Sequence, residues 1–257
     1  MFSINELYYL IKILDYYESG LVKIIQYYIN TYTFIKYHFS KTTQNGLCDV
    51  VKLWCDNEIR EECEKEYGHI SYWDVSMITG MSSLFRNKAN FNDDISRWDV
   101  LNVNYMGYMF ENATNFNQPI DSWNLANVTM MRSMFENATS FNQPINSWDV
   151  SNVKTITAMF YKATNFNQPL NSWNVSNVTM MECVFHSASN FNQPLYSWDV
   201  SNVIDMDEMF SEALSFNQPL TNWDVSEVGF LRYVFCGATS FEQPETLRYF
   251  RKYNRKA

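Results

Sequence analysis

The residues of this sequence best suited to chemistry are five cysteines (Cys48, Cys55, Cys63, Cys183, Cys236), three histidines (His38, His69, His186) and a run of glutamates at 58–66. Thiolates and imidazoles that hold zinc usually arrive as closely spaced pairs, of the C-x-x-C or H-x-x-x-H kind. Here the cysteines are odd in number and irregularly spaced, and no two histidines are placed to share an ion, so the expectation is no metal and no cofactor. Glu58, Glu61, Glu62, Glu64 and Glu66 are flanked by Arg60 and Lys65 in "EIREECEKE", which reads as the solvated face of a helix. Glycine-rich phosphate loops, a Ser/His/Asp arrangement and H-E-x-x-H are all lacking, so no catalytic residue is expected and the chain does not read as an enzyme. Scattered cysteines fit a reducing compartment better than a disulfide framework.

Composition narrows the partners. The chain has 257 residues, 46% hydrophobic and 17% aromatic, ample for a core. A net charge of −9 argues against nucleic acid, whose binders carry basic stripes. Glu6, Lys12 and Asp15 interrupt "LYYLIKILDYY" before it becomes a signal-peptide core, and no run of 18 uncharged apolar residues exists. A soluble intracellular protein is expected, in a host cytoplasm or a virion.

Four parts position these residues. Residues 1–46 read as a helical hairpin, from apolar residues at three and four spacings either side of Ser19-Gly20, followed by a linker at 41–46. Residues 47–72 read as one capping helix with Val50, Val51, Trp54 and Ile59 on its apolar side. From Trp73 to 247 the sequence repeats: tryptophan recurs at 73, 98, 123, 148, 173, 198 and 223, always 25 apart. Residues 248–257 form a basic cap or tail, with Leu247, Tyr249, Phe250 and Tyr253 able to cover the end of the last coil.

Counting from each tryptophan as zero, apolar residues stand at +2, +5, +8, +11 and +12, phenylalanine at +12 and +18, and alanine at +15 in six of seven units, with Lys88 in the first. The +8, +11, +12, +15 set predicts a two-turn helix, N-capped by Thr79, Asn104, Thr129 or Thr179 at +6. Proline in "FNQPL" cannot continue a helix, so a short strand is expected around +22 to +26. Asn at +4 and +19 recurs in register and predicts two amide ladders that satisfy neighbouring backbone. Asp or Asn at +1 is expected to accept the amide two residues on, as an Asx-turn, rather than to stack as a calcium-bridged carboxylate column.

The pattern W-D/N-V-S-N-V-x-x-M-x-x-M-F-x-x-A-x-x-F-N-Q-P-L resembles the 25-residue repeat of BspA-like leucine-rich-repeat surface proteins, over 73–247. That family occurs in bacterial surface proteins, protists and large DNA viruses. The resemblance implies an α/β fold: a right-handed leucine-rich-repeat-like solenoid of seven 25-residue coils, with an α-helical N-terminal region and caps, used for binding or adhesion. It brings no catalytic residues with it, and residues 1–46 have no counterpart in it.

Packing occupies the constant positions, so specificity belongs to the variable ones at +7, +9 and +10. Tyr105, Tyr108, Met130, Arg132, Met180, Glu182, Asp205, Glu208, Phe230, Arg232 and Tyr233 are the expected partner-binding residues, since exposed aromatics and arginine anchor interfaces. The expected function is a non-catalytic scaffold for an unidentified protein partner. The alternative is a structural or adhesive surface or virion protein, which would draw on the sequons at Asn112, Asn127, Asn137, Asn174 and Asn177.

Overall fold

The computed structural model describes residues 44–253. The hairpin expected at 1–40 and the last four residues of the basic tail lie outside them.

At the N-terminal end α1 spans Gln44–Trp54 and α2 spans Arg60–Tyr67, followed by a 3₁₀ turn at Ile70–Tyr72. The sequence reading gives a single helix here, and the structure divides it. The break is local: the Asp56 carboxylate accepts the amide of Glu58, and the amide of Ile59 turns back to the Asp56 carbonyl. Ile59 is exposed at that break rather than buried, and α1 begins inside the expected linker. Leu47, Val50, Val51 and Trp54, three and four apart, form the buried face of α1, while all five glutamates face water. The Trp54 indole donates to Asp93 at 2.9 Å, and Arg60 pairs with the same carboxylate while lying 4.4 Å over the Trp54 ring. Asp93 thus ties both helices to the first coil.

Among the described residues, helices are confined to the two ends. The coils that begin at Trp73, Trp98, Trp123, Trp148, Trp173, Trp198 and Trp223 are built from turns. In coil two the amides of Met109, Glu111 and Ala113 return to the carbonyls three residues back, while those of Met106, Tyr108, Phe110 and Asn112 cross to Met130, Arg132, Met134 and Glu136 of coil three. Alternate amides therefore serve the coil and its neighbour, which accounts for the backbone polar groups of a buried stretch. This division requires left-handed residues at +10 and +14, from Ser83 and Asn87 (φ 62° and 60°) to Tyr233 and Gly237 (φ 56° and 70°).

Two local expectations change accordingly. The apolar spacing at +8 to +15 is buried as expected, but on consecutive turns rather than a helix. The +6 residues cap nothing: the Thr129 and Thr179 hydroxyls donate to the carbonyls of Asn104 and Lys154 in the preceding coil. The expected strand at +22 to +26 is also not formed. Parallel bridges fall instead at +7, joining Gly80, Tyr105, Met130, Thr155, Met180, Asp205 and Phe230 in sequence. Proline at +21 removes an amide that a ladder there would need. The +22 carbonyl is taken by a side chain: Trp123, Trp148 and Trp173 donate their indole N–H to Ile95, Ile120 and Ile145.

The core is a set of ring columns. Phe85, Phe110, Phe135, Phe160, Phe185, Phe210 and Phe235 stack at 5.5–5.8 Å, each lying 3.8–4.0 Å from the +18 phenylalanine of its own coil. Trp148, Trp173, Trp198 and Trp223 stack at 6.2–6.3 Å. At the far end α3 spans Pro244–Tyr253, beginning slightly earlier than expected. Proline suits the first helical position, and Glu245, with Arg251 and Lys252 in the last turn, complements the helix dipole.

The +14 column yields a test. Asn87, Asn112 and Asn137 tolerate positive φ, and their side chains bond one another, Nδ2 to Oδ1 at 2.7 and 2.9 Å. Lys162 follows them at φ 56° and breaks the ladder. Lys162→Asn is expected to raise stability by about 0.5–1 kcal/mol by easing the backbone and continuing the ladder. Urea unfolding measures this, and a loss of stability would refute the strain account.

Candidate functional site

Most polar positions of the coil are committed to stacking. In all seven coils the +1 Asp or Asn accepts the amide two residues on, as in Ser151 N–H to Asp149 Oδ1 at 3.0 Å. The Ser151 and Ser226 hydroxyls and amides hold the Asp149 and Asp224 carboxyls below their ordinary range. The stability that the Asp149 and Asp224 turns supply is therefore present above ordinary carboxylate pKa values and is lost as pH falls through the depressed ones. Asn102, Asn127, Asn152, Asn177 and Asn202 donate to the +3 carbonyl of the preceding coil. Asn92, Asn117, Asn142, Asn167 and Asn192 each accept both the +19 amide and the glutamine Nε2 of the next coil.

The +7, +9 and +10 columns run side by side along the bridged strip. Tyr105, Met130, Phe230 and Tyr233 expose 52%, 37%, 49% and 66% of their surface, and Arg132 and Arg232 are exposed. Met180, Glu182, Asp205 and Glu208 are half-buried. Tyr108 departs from the expected solvent-facing role, since it is half-buried with the Arg86 guanidinium 5.3 Å from its ring. Arg86 in turn pairs with the buried Glu111 at 2.8 Å.

In coils five and six the strip becomes acidic, with Glu182, Asp205, Asp207 and Glu208. Arg232 clasps Asp207 with Nε and Nη2 at 2.8 and 2.6 Å, and its backbone amide takes the other carboxylate oxygen. Burial, then the neighbouring Asp205, pushes the Glu182 carboxyl up, and burial does the same to Asp205. Cys183 Sγ, a nitrogen of His186 and a Glu208 oxygen lie within 4.8 Å of one another. Burial first, then Glu182 and Glu208, pushes the Cys183 thiol up to about 12. Sequence reasoning treats Cys183 and Glu208 as separate variable positions and sets His186 aside. The signal that joins them is the register, since residues 25 apart share a column. All five cysteines are free thiols.

Residues 57–173 and 145–249 each match the family described as "Mycoplasma protein of unknown function, DUF285". The chain belongs to the DUF285 family. No curated protein and no solved structure matches it. The two matches overlap over 145–173, as expected when one family pattern can be laid on an internal repeat in two registers. Every candidate residue of this DUF285 chain, from Tyr105 to Tyr233, falls inside the matched region. None of its helices, among the described residues, is long and apolar enough to cross a membrane.

Proposed function

We propose that this chain is a non-catalytic binding scaffold, a right-handed leucine-rich-repeat-like solenoid of the BspA-like kind that engages a protein partner along its +7, +9 and +10 columns. One observation carries the reading. The other repeated polar positions are spent on the coil stack, while this strip changes chemistry from coil to coil and exposes Tyr105, Met130, Phe230 and Tyr233. Rigid aromatics spaced along a stiff surface lose little entropy on binding and make effective anchors. The strip runs from an aromatic stretch at Tyr105 through acidic coils to Arg232, so a matching partner presents apolar pockets beside a basic segment. The reading of a glycosylated surface protein gains little, because the amide nitrogens of Asn112, Asn127, Asn137 and Asn177 already donate to neighbouring coils.

The combined variant Tyr105→Ser, Met130→Ser, Phe230→Ser and Tyr233→Ser removes exposed side chains only. It should melt within a few degrees of the wild-type chain and lose the partner captured by the intact array from its native cells. Undiminished capture would show that another face binds.

A further inference from the structure

Cys183 and Glu208 occupy the +10 position of coils five and six, and His186 stands three residues beyond Cys183. Their side chains converge, one ligand atom from each lying within 4.8 Å of the others. His186 Nδ1 is buried and has no hydrogen-bond partner, although Glu208 Oε2 is only 3.1 Å away. A buried imidazole nitrogen left in that state needs an explanation. Its ring is held in place by stacking on Tyr161 at 4.8 Å.

We propose that Cys183, His186 and Glu208 bind one zinc-class divalent cation across coils five and six, with solvent in the fourth position. The donor types decide the class. A thiolate, an imidazole and a carboxylate suit zinc, cobalt or nickel, whereas calcium and magnesium take oxygen ligands. The three donors lie within 4.8 Å of one another, and an ion at zinc bond lengths would draw them to roughly 3.3–3.6 Å.

The stack fixes the backbone at two of the three ligands. The Cys183 amide is held by the Asp207 carbonyl at 2.9 Å and the Glu208 amide by the Arg232 carbonyl at 2.8 Å, both residues at left-handed φ of 55° and 56°. Stacking does not demand this chemistry. The same three places hold Ser133, Glu136 and Ala158 in coils three and four, and Glu208, Ser211 and Tyr233 in coils six and seven. The surroundings favour a cation: Glu182 and Asp205 stand beside the trio, while the Asp207 charge is taken up by Arg232. On binding, the metal–sulfur bond replaces the thiol S–H bond and the proton leaves to solvent. The site lies within the +10 column of the strip, but filling it needs no partner, so metal binding and partner capture are tested separately.

Cobalt(II) is the probe, added to the full chain after chelator treatment and buffer exchange. One equivalent should give a thiolate-to-cobalt charge-transfer band with the intense visible absorption of four-coordinate cobalt, and zinc should displace it. Cys183→Ser should abolish the band. Glu208→Gln and His186→Gln should each weaken binding by more than the about 10–100-fold that loss of a supporting group costs. Cys236→Ser should change nothing, and metal-free melting of every variant reports whether it is folded. Absence of the band in the folded wild-type chain, or its survival in folded Cys183→Ser, overturns the assignment.

Discussion

Trp148→Ala will destabilise the chain by about 5 kcal/mol, while Tyr233→Ala will change stability by less than about 0.5 kcal/mol. Trp148 is buried in the central coil, stacked 6.3 Å from Trp173, and its indole N–H bonds the Ile120 carbonyl of the coil before. Truncation leaves a cavity between three coils, which alone costs about 3–5 kcal/mol. It also orphans a buried carbonyl, worth about 1–3 kcal/mol more. Trp148→Phe separates the two terms, because it keeps most of the ring and loses only the donor. In a linear array a weak central coil uncouples the halves, so urea unfolding of Trp148→Ala should split into two steps. Tyr233 is mostly exposed and makes no hydrogen bond that its alanine replacement would orphan. Equal shifts for the two alanine variants would mean that the inward and outward positions of the coil are wrongly assigned.

That assignment was legible in the sequence because burial follows the 25-residue period whatever the backbone does between apolar positions. The Asx-turns and both amide ladders were legible for a similar reason, since each depends on a short side chain and on register alone. Local backbone was harder. Apolar residues at +8, +11, +12 and +15 mark one side of a helix, but a succession of turns with left-handed residues at +10 and +14 buries the same four. The clue lay in composition: Asn87, Asn112, Asn137 and Gly237 occupy +14, and Asn and Gly are the residues that accept positive φ. The strand was misplaced because a side-chain donor, the tryptophan indole, took the carbonyl that a ladder would have used. The Cys183, His186 and Glu208 trio leaves no close-spaced motif along the chain, because in a stack the near neighbour is one period away.

Removal of 244–257 will lower the melting temperature by on the order of 10 °C and make the chain associate. The sequence predicts a cap from the lapse of the pattern, with Glu245 in the place of an apolar residue and Arg248 where an eighth tryptophan would stand. α3 has the contacts of a cap. Phe250 is buried edge-on against Phe235 at 5.3 Å, and Leu247, Tyr249 and Tyr253 pack on the core around it. Thr246 is fully buried, and its hydroxyl oxygen accepts the Leu220 amide, satisfying backbone at the open end of the stack. The outward face carries Arg248, Arg251 and Lys252, all exposed, which also suits a basic tail that docks an acidic partner. The two roles separate by which half of the helix is altered. Phe250→Ala removes only the inward contact and should cost about 3 kcal/mol. Arg248→Glu with Arg251→Glu reverses only the outward charge and should leave melting within a few degrees. If the truncated chain stays monomeric and equally stable, α3 closes nothing, and its basic face becomes the reason for its presence.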